Sequence, residues 1–172
     1  VGLNNTGTIS GCHASGTVTG GTEYCTAGGL AGCNQDGGTI IGSYATGNVS
    51  GENAVGGLLG LMPTGNLSDS HATGNVSGTG ENIGGLVGGT TGSTITDCYY
   101  STGTVTNSSG VKNAGGLVGY MSSTDITGSH ATGNVNGKAN ALGLLYNSFS
   151  SGGHTTKGLS DVNIISSSAM PI

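Results

Sequence analysis

The chain has 172 residues, 38 of them glycine, with two prolines, no tryptophan and one phenylalanine. Charge is scarce and acidic: eight carboxylates, three lysines (Lys112, Lys138, Lys157), no arginine and a net charge of −5. The chain therefore lacks the basic stripe that nucleic acid or an anionic membrane would need, and no apolar run approaches the roughly 20 residues that span a bilayer.

The chain opens with VGLNNTGTISGCHASGTVTG and, after an insert GTEYC at 21–25, reads GGLAGCNQDGGTIIGSYATGNVSG over 28–51. Nearly the same phrase returns as GGLLGLMPTGNLSDSHATGNVSG at 56–78, GGLVGGTTGSTITDCYYSTGTVTN at 84–107 and GGLVGYMSSTDITGSHATGNVNG at 115–137, and a decayed copy, LGLLYNSFSSGG, starts at Leu142. Aligned on its second glycine the motif falls at Gly2, Gly29, Gly57, Gly85, Gly116 and Gly143, at intervals of 27, 28, 28, 31 and 27. So much glycine without a period would describe a flexible chain; with one it describes a repeat architecture. The chain does not begin with Met and shows no signal peptide, so a mature or excised piece is expected.

Each copy offers three short strand segments: the GGLVG phrase, the run around Ile9, Ile40, Leu67, Ile95 and Ile126, and the segment holding Val18, Val49, Val76, Val105 and Val135. Gly, Asn, Ser and Thr clusters separate them, which is turn chemistry, and no window carries apolar residues at helical spacing. The expected fold is all-β, a three-faced parallel β-solenoid of 5–6 coils, each of about 28 residues and advancing about 4.8 Å. Residues 1–146 form the solenoid repeats; 147–172 form a tail that caps its end or contacts a neighbouring subunit.

Stacking turns recurring residues into columns. The glycine of ATG (Gly16, Gly47, Gly74, Gly103, Gly133) is expected at a turn with positive φ. Asn48, Asn75 and Asn134 follow it and are expected to hydrogen-bond up the column. Cys12, Ser43, Ser70, Cys98 and Ser129 form an inward column. Next to it lie His13, Tyr44, His71, Tyr99 and His130, placed outward as a surface ladder; the extra residue in the fourth copy lets Tyr99 or Tyr100 take that place.

This phrase, GG-L-V-G followed by T-I-x-x-S-[HY]-A-T-G-N-V-[SN]-G, resembles the GLUG repeat found in arrays in large secreted and surface proteins of bacteria and archaea. The resemblance covers residues 1 to about 145, and SFSSGGHTTKGLSDVN (148–163) resembles the segment that often follows the last copy. It implies a structural or adhesive role at the cell surface, outside the cell, and supplies no catalytic residues. Cys12, Cys33, Cys98, the Tyr99–Tyr100 insertion and the GTEYC insert depart from the pattern.

Other chemistry is thin. Imidazoles two coils apart, roughly 9–10 Å, cannot share a zinc ion whose bonds are about 2 Å long. Asp69 and Asp97 fall at equivalent positions about 5 Å apart, the separation of a retaining glycosidase pair, but without converging polar groups they read as two solvated carboxylates or a weak calcium contact. Cys12 and Cys98 lie three coils apart, beyond disulfide reach; a bridge among Cys12, Cys25 and Cys33 and a set of unbridged thiols both remain open. Sequons at Asn4, Asn48, Asn66, Asn75 and Asn107 are candidate N-glycosylation sites.

These residues point to no enzyme, cofactor or metal. They favour a rigid stalk, an adhesin segment or a filament subunit whose partners are copies of itself, neighbouring segments of a longer chain, surface glycans or host proteins. The alternative is a glycan-binding surface on the ring column or an ice-binding one on Ser15, Thr46, Thr73, Thr102 and Thr132; a carbohydrate-active β-helix fits least.

Overall fold

The computed structural model describes residues 1–22, 26–108 and 114–137, and beyond them the strands Ala141–Leu142, Leu145–Asn147, Thr156–Lys157 and Ile164–Ser166. The chain is a parallel β-solenoid with no helix among the described residues. No helix there is long and apolar enough to cross a membrane.

The coil is more finely broken than the three segments in the sequence suggest. One complete coil contains Val55–Gly56, Leu59–Pro63, Asn66–Ser68, His71–Ala72 and Val76–Gly78, and each of these five strands belongs to its own parallel sheet. Two of the three expected segments are bent by corners. Gly57–Leu58 divides the GGL phrase, and Asp69–Ser70 divides the run from Leu67 to Ala72.

Register follows the repeat. Ala31 pairs with Leu59, Leu59 with Val87 and Val87 with Val118, steps of 28, 28 and 31 residues. The first copy is the exception to the glycine alignment. Leu3 pairs with Cys33, Ile9 with Ile40 and Val18 with Val49, so Gly2 sits beside Gly32 and not Gly29. The GTEYC insert lengthens this coil and conceals the offset.

The core is a stack of identical columns. Ile40, Leu67, Ile95 and Ile126 fill one, and Val49, Val76, Val105 and Val135 another, all at 0–1% exposure. Each such side chain contributes roughly 1.5–3 kcal/mol by burial, and its neighbours above and below repeat its shape. The doubled glycine explains itself at Gly56 and Gly57. A Cβ on Gly56 would collide with the carbonyl oxygen of Leu59, and one on Gly57 with that of Gly85 in the next coil.

The ATG glycines do not have positive φ. Gly47 and Gly74 are required by close approach, because a Cβ on either would meet the carbonyl oxygen of the ATG glycine one coil below. Positive φ falls instead on the column Gly11, Gly42, Asp69, Asp97 and Gly128, with φ of 60°, 57°, 49°, 51° and 62°. Aspartate is among the few side chains that tolerate this left-handed conformation.

Beyond residue 146, Thr156–Lys157 continues the sheet of Asp125–Thr127, and Ile164–Ser166 that of Asn134–Gly137, both in parallel pairing. Phe149 and Val162, expected in the cap, lie outside the described residues.

Candidate functional site

The ring ladder occupies the outer face of the sheet that runs through His13–Ala14, Tyr44–Ala45, His71–Ala72, Tyr99–Tyr100 and His130–Ala131. Period-two alternation turns one residue of each pair out and the other in. The five outward rings stack with centroids 5.3, 5.0, 4.5 and 5.4 Å apart and planes within 12° of parallel. Tyr44, His71 and Tyr99 therefore have a neighbour over both faces. Their open sides are ring edges, which offer a glycan or a protein hydrogen bonds from phenol and imidazole rather than a flat surface for stacking. His71 is half-buried between two phenols, and that burial lowers its pKa from the ordinary 6.5.

Tyr99 takes the ladder position; Tyr100 enters the core. It pairs with Ala72 and Ala131 in a column otherwise made of alanine and is fully buried. Its phenol donates to the carbonyl of Gly74 at 3.0 Å, and burial raises its pKa. Gly85, Gly103 and Gly133 give the ring its space, since a Cβ on any of them would strike it. The extra residue is Thr102, at φ 66°. Thr132 N donates to Tyr100 O and Ser101 N to Ala72 O, so the hydroxyl column beside the ladder is Ser15, Thr46, Thr73, Ser101 and Thr132, with Ser101 in the place expected for Thr102.

Beneath the ladder, Cys12, Ser43, Ser70, Cys98 and Ser129 form a continuous polar rail. Each hydroxyl or thiol donates to the carbonyl two residues earlier, as Ser43 does to Ile41 at 3.0 Å and Cys98 to Thr96 at 3.1 Å. Each oxygen accepts from the coil below: Cys12 N donates to Ser43 Oγ, Ser43 N to Ser70 Oγ and Cys98 N to Ser129 Oγ, at 3.0–3.1 Å. This satisfies backbone groups at a buried corner. Cys98 is fully buried, and desolvation pushes its thiol up to about 12.

Cys12 is an exposed free thiol and Cys33 a half-buried one; Cys25 lies outside the described residues. Burial, and then the carboxylate of Asp36, raise the Cys33 pKa. Asp69 and Asp97 occupy their corner for its backbone geometry, and the described residues contain no group of three potential metal ligands.

The sequons differ in what their amides do. Asn4 donates from Nδ2 to Asn34 Oδ1 and to the Gly7 carbonyl, and Asn107 to the Gly80 carbonyl; both side chains are buried. Asn48, Asn66 and Asn75 are exposed. The asparagine column bonds from side chain to backbone and not from amide to amide: Asn48 Oδ1 accepts from Asn75 N, and Asn75 Oδ1 from Thr104 N, both at 2.9 Å.

Sequence reasoning missed an open groove of about 660 Å³, lined by Thr26, Glu52, Asn53, Ala54, Leu61, Glu81 and Asn82. The recurring Glu-Asn pairs at 52–53 and 81–82 are the signal that marked it.

No curated protein and no solved structure matches the chain. The family model of the GLUG motif matches residues 23–50 and 110–136, two copies of the repeat that builds the parallel β-solenoid, and the chain is in this respect similar to GLUG-repeat proteins.

Proposed function

We propose that this chain is a structural module of a secreted or cell-surface protein, serving as a rigid stalk, an adhesive segment or a filament subunit joined end to end. The observation that carries the reading is the continuity of its columns. Core side chains, the polar rail and the ring ladder all run along one axis, so each coil is a template for the next. GLUG-repeat solenoids are not a typical enzyme family. The lowest coil leaves Val1 and Leu3 at 69% and 53% exposure, and an end-to-end contact would cover them.

Sedimentation and electron microscopy of the protein over a wide concentration range test the end-contact form. Concentration-dependent linear assemblies are expected of a filament subunit. A stable monomer without filaments removes that form and leaves the stalk.

A further inference from the structure

Histidine is the one side chain whose ordinary titration lies between pH 5 and 8, and a surface ladder with three of them meets that range directly. In a solenoid, like residues stack on like, so the simplest ladder would be histidine throughout. This one alternates. His13 stacks on Tyr44 at 5.3 Å, His71 lies between Tyr44 and Tyr99 at 5.0 and 4.5 Å, and His130 stacks on Tyr99 at 5.4 Å. No imidazole has an imidazole neighbour.

We propose that the alternation of His and Tyr insulates protonated imidazoles from one another, so that the ladder stays stacked and the solenoid stays folded when its surroundings become acidic.

The distances carry this. Adjacent histidines would place two positive rings about 5 Å apart, whereas one intervening tyrosine moves them to about 10 Å, which halves the repulsion and brings salt screening into play. The intervening ring also helps, because a phenol face attracts a cation. That attraction opposes the desolvation that lowers the pKa of His71. A lowered histidine pKa means the folded state binds the proton less tightly than the unfolded one. Its stabilising contribution is present above the ordinary value and falls as the pH drops below it, so the burial of His71 alone costs some stability in acid.

The surrounding groups leave the rings themselves in control. On the ladder's own turns, Asp69 and Asp97 precede His71 and Tyr99 by two residues, and the exposed Cys12 precedes His13. Asp125, at the start of Asp125–Thr127, and Lys157, in Thr156–Lys157, are the charged residues among the described strands of the preceding sheet. The described strands of the following sheet carry no charge.

Thermal unfolding of the wild type, the double variant Tyr44→His/Tyr99→His and the single variant Tyr44→His, at about pH 8 and about pH 5, tests the proposal. At the higher pH the double variant is expected to melt close to the wild type. At the lower pH it is expected to melt at least about 5 °C further below its own neutral value than the wild type does. An equal acid-induced drop in both proteins overturns the proposal. If the double variant does not fold, Tyr44→His decides: it places three histidines in a row and is expected to enlarge the wild-type drop, and an unchanged drop overturns the proposal.

Discussion

Tyr100 Oη donates to the carbonyl of Gly74, one coil below, at 3.0 Å, in a column where every other described strand has alanine. One large side chain has been fitted into a stack of small ones, with glycines making room and Thr102 at φ 66° absorbing the added chain length.

The consequence is a localised stability cost. Tyr100→Phe leaves the Gly74 carbonyl without this donor and should cost about 1–3 kcal/mol. Tyr100→Ala matches the neighbouring coils in composition, but the backbone around it is built for a ring. It should therefore cost about 3–5 kcal/mol, as a cavity does. Urea unfolding measures both, and an unchanged midpoint for Tyr100→Ala would show that the column closes around alanine.

Cys98 is a serine position occupied by a cysteine. Its thiol, raised to about 12, should resist thiol reagents near pH 8 in the folded protein, while the exposed Cys12 reacts quickly. The raised value also sets a direction. The folded state keeps its proton where the unfolded thiol, near 9.0, has lost it, so stability should decline as pH rises from about 9 towards 12. Cys98→Ser should keep the rail of hydrogen bonds and flatten part of that alkaline decline. Rapid labelling of Cys98 without unfolding would contradict the buried assignment.

Asp69 and Asp97 stand where three other coils have glycine, at φ of 49° and 51°. Replacement by glycine should leave stability within about 0.5 kcal/mol, whereas replacement by alanine should cost about 1–2 kcal/mol through backbone strain. Thermal melts of the four single variants separate the two series. If alanine and glycine behave alike, the corner is not held by its backbone conformation.

The columns made the solenoid legible. Ile9, Ile40, Leu67, Ile95 and Ile126 recur at one phase and Val18, Val49, Val76, Val105 and Val135 at another, and the structure pairs each set in register. The ring ladder was legible for the same reason. What misled was glycine, which serves both positive φ and close approach. The distinction was present in the repeat itself: the corner that alternates Gly11, Gly42, Asp69, Asp97 and Gly128 admits aspartate because only φ is special, while Gly47 and Gly74 face a carbonyl that excludes any Cβ. The fourth copy hid a different ambiguity. Two adjacent tyrosines look alike in sequence, and only the pairing of Tyr99 with His71 and Tyr100 with Ala72 sends one outward and the other into the core.

The most direct test of a coil-on-coil architecture is to remove one coil. Deleting residues 56–83 joins Val55 to Gly84 at the point where Val55 pairs with Ile83 and Gly56 with Gly84, so every column closes over the gap in register. The shortened protein is expected to fold, to retain its β circular dichroism per residue and to unfold cooperatively at a somewhat lower temperature. Deleting only 56–69 places Val55 before Ser70 and shifts every later column out of phase, and this variant is expected not to fold. A full-coil deletion that unfolds, beside a half-coil deletion that folds as well as the parent, would contradict the stacked-coil account.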